Sequence, residues 1–210
     1  MIETFNEENL HQLYDAVAKK DKDLKAIIKE YGYPPVWVRP NTFETLVLTI
    51  LEQQVSLASA YSAYKKLKER INITPNNLLQ LKDEELRNCY LSRQKIIYTR
   101  ELANAIVSKK ITLKKFQEQP DDIVRKELKA LKGIGDWTVD IYLLHALRRL
   151  DIFPIGDLAL VNSIKMIKQL PEATKDGLNK MSEKWKPYRS IATMLFWHYY
   201  IKKKNIKILH

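Results

Sequence analysis

The sequence predicts an all-α protein. Apolar residues recur at helical spacing through most of the chain, no segment alternates convincingly with period two, and capping or breaking residues stand at the ends of the periodic runs. The 210 residues suit one large domain or two small lobes, and a hydrophobic content of 45% can supply a core.

Thr4 or Asn6 can cap a first helix running to about Lys19, with Leu10, Leu13 and Val17 on one face. A second covers Asp23 to Tyr31 and stops at Gly32. The segment 33–40, YPPVWVRP, is a connector, because each proline disfavours the α region for the residue before it. Its Trp37 either closes over the core or offers a flat face to a ligand. Asn41 or Thr42 caps a buried helix with Phe43, Leu46, Val47, Ile50 and Leu51 as its stripe, ending near Gln53-Gln54. Ser56 caps the next, with Leu57, Ala60, Tyr64 and Leu67 inward and Lys65, Lys66, Lys68 and Arg70 outward. Short helices at Pro75 to Leu81 and Asp83 to Cys89 precede a longer one from Arg93 to Val107. Lys109, Lys110, Lys114 and Lys115 form a charge cluster that reads either as solvated surface or as phosphate contact.

From Pro120 the pattern is helix, hairpin, helix. Ile123, Leu128 and Leu131 mark the first helix, which is expected to end at Lys132 after Asp121 and Asp122 have complemented its N-terminus. Gly133-Ile134-Gly135 then turns the chain, and Trp137, Ile141, Leu144, Ala146 and Leu147 restore the helical pattern. Unpaired N–H groups at such a turn can hold a phosphate, directly or through a monovalent cation, although a plain αα-corner has the same signature. Asp157 then opens a helix with Leu158, Val161, Ile164, Met166 and Ile167, and is by residue type an N-cap. In the last helix Pro187 stands at the start, with Ile191, Met194, Leu195 and Tyr199 inward, and Lys202, Lys203, Lys204 and Lys207 make the chain end basic.

A net charge of +11 and a pI near 9.5 point to a polyanionic partner. No apolar run approaches the roughly 20 residues of a membrane span, and the start lacks the pattern of a signal peptide. The expected setting is intracellular, cytoplasmic or nucleoid-associated, with no membrane association. The single cysteine, Cys89, excludes an internal disulfide and a cysteine-ligated structural metal site, so no intrinsic metal and no cofactor are expected.

Three stretches carry a resemblance. LKGIGDWTVDIYLLHALRRLDIFPIGD at 131–157 is similar to the signature of the helix-hairpin-helix DNA glycosylase superfamily; FETLVLTILEQQVS at 43–56 and WKPYRSIA at 185–192 resemble segments of its 3-methyladenine DNA glycosylase II family. The likeness runs in one order over roughly residues 35 to 200. It implies a two-lobed helical fold in a single glycosylase unit, residues 1–210, with a central bundle at 41–144 that includes the hairpin. Residues 1–40 and 145–210 would form the second lobe, with the active site in the inter-lobe cleft.

It also implies roles. Asp157 would be the catalytic carboxylate, supporting the positive charge that develops on the sugar as the C1′–N bond breaks. Trp137, Trp197, Trp37 and Tyr142 would wall a pocket for the extruded base; Ile141 stands where some relatives carry another aromatic. Gly133, Ile134 and Gly135 would anchor phosphate, and of the Gln53-Gln54 pair Gln54 would fill the gap in the duplex, where many relatives carry leucine. The activity implied is a monofunctional glycosylase acting, as a monomer, on double-stranded DNA that contains alkylated bases. A glycosylase with abasic-site lyase activity and a non-catalytic DNA-binding module are the alternatives. Lyase chemistry needs a lysine where this chain has Trp137, which speaks for the first reading.

Overall fold

A computed structural model describes residues 3–206. Among the described residues the chain is all-helical, and its only bridge pairing is an isolated antiparallel bridge between Thr4 and Arg149. The described residues divide into two compact units, one of 39–142 and one of 3–38 with 143–206.

The first unit contains helices α3 (Phe43–Glu52), α4 (Leu57–Arg70), α5 (Pro75–Gln80), α6 (Asp83–Asn88), α7 (Arg93–Val107) and α8 (Asp121–Lys129), with the start of α9 (Asp136–His145). Helix α3 is its centre, with both α4 and α7 packed against it. Its sequence explains this: Phe43 and Leu46 to Leu51 are all buried, and the polar residues among them are satisfied locally. Thr42 caps the helix by accepting from the Thr45 N–H, and the Thr49 hydroxyl donates back to the Thr45 carbonyl at 2.9 Å. At the other end the Arg39 guanidinium grips Glu52 with two bonds of 2.8 and 2.7 Å, while the Lys95 ammonium donates to the Leu51 carbonyl. The C-terminal end of α3 is thus supplied with cations.

The second unit contains α1 (Leu10–Ala18), α2 (Lys22–Tyr31), the end of α9, α10 (Leu158–Lys168), α11 (Lys175–Ser182) and α12 (Arg189–Lys203). Helix α12 is almost entirely apolar from Ile191 to Trp197 and carries α1, α2 and α10 on its sides. Asp21, which caps α2, is buried beneath it. Burial opposes its ionisation, but Lys168, Lys184 and the Trp185 indole N–H all bond the carboxylate and hold it down at about 2.

The expected apolar stripes hold except at their first residues. Ile123, Leu57 and Leu158 are 37%, 42% and 72% exposed; of the rest of each expected stripe, Leu128 and Leu131, Ala60 and Leu67, and Val161 and Ile164 are buried, joined by Val124, Ala63 and Leu160. Each exposed residue stands in the first turn of its helix, where fewer neighbours pack against it. Helix α8 ends at Lys129, three residues early, and α1 starts after Asn9, because Asn6 and Asn9 bond each other's backbone N–H and form a turn first. Helix α11, capped by Thr174, was not anticipated. Lys207 lies outside the described residues.

Candidate active site

The segment leading to Asp157 is stitched down along its length. Arg148 has φ of 56°, and its carbonyl accepts from the Phe5 N–H at 3.0 Å. The Ser190 hydroxyl, at the start of α12, donates to the Arg149 carbonyl and accepts from the Ile152 N–H at 2.6 and 2.9 Å. Arg189 beside it pairs Asp151 through two bonds of 2.8 Å. Pro154 then closes a turn, its carbonyl accepting from the Asp157 N–H at 2.8 Å, and α10 begins. A loop with this many fixed backbone groups holds the residue at its end in one place.

Asp157 is itself fixed by two donors on one oxygen. Its Oδ1 accepts from the Leu160 N–H at 2.8 Å, the N-cap bond, and from the Trp197 indole Nε1–H at 2.9 Å. The N-cap expected of Asp157 is thus present, and the indole shares its oxygen. The Trp197 ring lies parallel to the His145 imidazole, centroids 5.4 Å apart and planes 11° from each other. His145 Nδ1 meets the Trp37 carbonyl at 2.7 Å, and since that carbonyl can only accept, Nδ1 carries the proton. The Trp37 ring is half-buried and tilted against His198. Trp37, His145, Trp197 and Asp157 form one connected series, and Trp197, 8% exposed, acts as a bracket for the carboxylate with one of its faces already covered.

The hairpin and the Gln53-Gln54 loop belong to the other unit, where they are joined directly. The Gln53 side-chain amide donates to the Gly133 carbonyl at 2.8 Å and to the Thr138 hydroxyl at 2.9 Å. Gly133 has φ of 88°, and a Cβ there would lie 2.0 Å from the Tyr98 ring, so both the conformation and the contact require glycine. Gly135 is open on its side-chain face. Two ion pairs tie the hairpin helices, Arg125 to Asp140 at 2.5 Å and Lys129 to Asp136 at 2.6 Å. Burial pushes the Asp140 carboxyl up to about 6 against the pull of Arg125. Gln54 is exposed, with φ of 56°.

Not every residue singled out in the sequence is placed to touch a ligand. Tyr142 is fully buried, its hydroxyl on the Asn41 amide oxygen at 2.5 Å and its ring edge-on to Phe116; its place is in the packing. Ile141 and Ile134 are buried, whereas Trp137, in the first turn of α9, is half-buried. Gln53 points its amide at the hairpin, so its part is to brace that turn. His145 and Tyr98 escaped the sequence reading. His145 sits in an apolar helix where histidine reads as core, and nothing local to Tyr98 announces a glycine 35 positions away. Among the described residues no group of three or more His, Cys, Asp and Glu side chains could hold a metal ion, and no helix is long and apolar enough to cross a membrane.

Two helices around a glycine turn, followed by a loop that presents a fixed aspartate at the next helix start, define a helix-hairpin-helix protein. A profile described as HhH-GPD superfamily base excision DNA repair protein matches residues 47–187. The chain belongs to that superfamily. It is 29% identical to DNA-3-methyladenine glycosylase 1 of Schizosaccharomyces pombe, over 84% of this chain and 82% of that protein. To DNA-3-methyladenine glycosylase 2 of Escherichia coli K12 it is 27% identical, over 75% of this chain and 57% of that one. Among solved structures, the S. pombe 3-methyladenine DNA glycosylase in complex with abasic DNA superposes with a TM-score of 0.84 at 26% identity, covering 92% of this chain and 97% of that one.

Proposed function

We propose that the chain is a monofunctional DNA glycosylase that hydrolyses the N-glycosidic bond of alkylated purines, of the 3-methyladenine type, flipped out of duplex DNA. The observation that carries this reading is Asp157, whose carboxylate is fixed through Oδ1 by a backbone N–H and an indole N–H. A carboxylate so held is preorganised for a sugar that becomes positive as its bond to the base lengthens. In the reaction a water oxygen forms the new bond to C1′, the C1′–N bond breaks, and Asp157 takes the water's proton. The alkylated purine was a cation and departs neutral, so it needs no acid.

Trp137 and Trp197 supply rings for that cation, each such contact contributing roughly 0.5 to 2 kcal/mol. The Gly133–Gly135 turn holds phosphate, and Gln54 fills the gap left by the extruded nucleotide. Its exposed, left-handed backbone supports that role, since strain of this kind persists where something is gained from it. The protein works as a monomer on double-stranded DNA and leaves an intact abasic site, because an indole at Trp137 cannot form the Schiff base that strand cleavage requires.

The test is release of methylated purines from duplex DNA by the wild-type protein and by Asp157→Asn. The amide keeps an oxygen for Leu160 and Trp197 and loses only the charge. Base release should fall at least about 100-fold, the scale of losing one electrostatic contributor, while duplex affinity changes little. Full turnover by the variant overturns the mechanism. A covalent band trapped by borohydride on damaged duplex would assign the chain to the lyase class instead.

A further inference from the structure

At the end of the first unit opposite the hairpin, the segment that follows α7 carries Lys109, Lys110, Lys114 and Lys115, all exposed. The segment is pinned. Ile111 and Phe116 are buried, the Ile111 N–H donates to the Ala105 carbonyl at 3.0 Å, and the Asn41 side-chain amide donates to the Leu113 carbonyl at 2.9 Å. No ion pair among the described residues engages any of these lysines. Residues 107–118 contain one carboxylate, Glu118, against the four ammonium groups. Helix α3 sets their distance from the hairpin, because Asn41 stands before it and Gln53, on the Gly133 carbonyl, after it. Its 10 residues, at about 1.5 Å each, put the two ends roughly 15 Å apart. That is about two Debye lengths at physiological salt, so the lysines and an anion at the hairpin act nearly independently.

We propose that Lys109, Lys110, Lys114 and Lys115 form a second, separate surface for duplex DNA, which holds another DNA segment while the hairpin end holds the first. The inference rests on the glycosylase reading above, in which the hairpin end takes the duplex that is searched for damage. Cations without carboxylate partners lose no ion pair when they meet phosphates, and each phosphate neutralised releases counterions from the DNA. Lysine ammonium groups on flexible stems ask for no fixed geometry, which suits a row of phosphates of any sequence. A protein partner is served less well. The cores of protein interfaces are depleted in lysine and built on apolar anchors, whereas the only exposed large apolar side chain of residues 107–118 is Val107. A protein that holds two segments at once passes from one to the other without entering solution, and so reaches a rare lesion in fewer encounters.

Stopped-flow anisotropy tests this with the whole protein bound to a fluorescein-labelled duplex and challenged with rising concentrations of the same duplex unlabelled. One variant combines Lys110→Ser, Lys114→Ser and Lys115→Ser with Lys109→Gly, since glycine suits the φ of 59° at that position. All four side chains are exposed, so the variant should fold. A second combines Lys109→Arg, Lys110→Arg, Lys114→Arg and Lys115→Arg and keeps the charge. For wild type and the arginine variant the dissociation rate should rise roughly 3- to 10-fold over a tenfold rise in competitor, and for the uncharged variant it should stay flat. A flat wild-type rate, or an equal rise in the uncharged variant, overturns the second surface. So does an uncharged variant that no longer holds the labelled duplex, because the lysines would then belong to the first site. Polyglutamate that speeds wild-type dissociation as well as duplex does would assign the lysines to an acidic protein and overturn the duplex assignment. Transfer by wild type without release of methylated purines leaves this surface standing and sinks the glycosylase reading. Base release with competitor-independent dissociation does the reverse.

Discussion

Asp157 and Trp197 show how one residue's role depends on the group bonded to it. The indole N–H that reaches Oδ1 at 2.9 Å removes rotational freedom from the carboxylate, and the stacked His145 removes it from the indole. Trp197→Phe keeps a ring of similar shape and deletes only the donor. Base release should then fall roughly 10- to 100-fold in kcat with little change in KM, the mark of an interaction that matters in the transition state. Steady-state kinetics on methylated duplex, set against wild type, decides it; a pure KM effect would reduce Trp197 to a wall of the pocket. The sequence showed the aspartate and the tryptophan separately, forty positions apart, but not the bond between them.

At the level of elements, the hairpin is braced from three directions: by Gln53 on the Gly133 carbonyl, by Tyr98 against the Gly133 Cα, and by the ion pairs between α8 and α9. Gly133→Ala should destabilise the protein by on the order of 3 kcal/mol, part from positive φ and part from the clash with Tyr98. Adding Tyr98→Ala to that variant should relieve the steric part and leave the backbone part, which urea titration of the two proteins can separate. Asp140 makes the same element sensitive to pH. Its carboxyl titrates at about 6 in the folded chain, above the ordinary 3.8, so the folded state holds the proton more tightly than the unfolded state does. Its charge therefore weighs against folding above pH 6, and that burden fades as pH falls through the interval from about 6 to 4. Relative to Asp140→Asn, the wild-type protein should lose stability between pH 4 and pH 6, on the order of 2 kcal/mol, with no further divergence above pH 7. Paired denaturation midpoints across that range provide the measurement, and parallel curves would show that Arg125 offsets the burial completely.

Over the whole molecule the excess of 36 Lys and Arg over 25 Asp and Glu supplies a field that no single contact replaces. Exposed lysines at positions 109, 110, 114, 115 and 202–204 belong to it. Binding to unrelated duplexes should weaken with salt along a common log–log slope of about 0.9 per phosphate neutralised, since the Gly133–Gly135 turn, if it holds phosphate as proposed above, would read no bases. Fluorescence anisotropy with several duplexes at rising salt would reveal it. Slopes that differ between sequences would point to base readout.

Every α-helix but α11, the caps at Thr42, Ser56 and Asp157, the glycine turn and the family could be read from the chain, because each is set by residues within a few positions of one another. The exposure of Leu57, Ile123 and Leu158 could not, since an apolar residue in a first turn is buried only if something lies opposite it. Tertiary structure also withdrew Tyr142 into the packing, turned Gln53 toward the hairpin, brought Tyr98 against Gly133 and set His145 on Trp197. Each of these joins residues far apart in the chain. Local propensity and spacing are blind to such pairs; only burial and hydrogen-bond satisfaction in the folded chain select them.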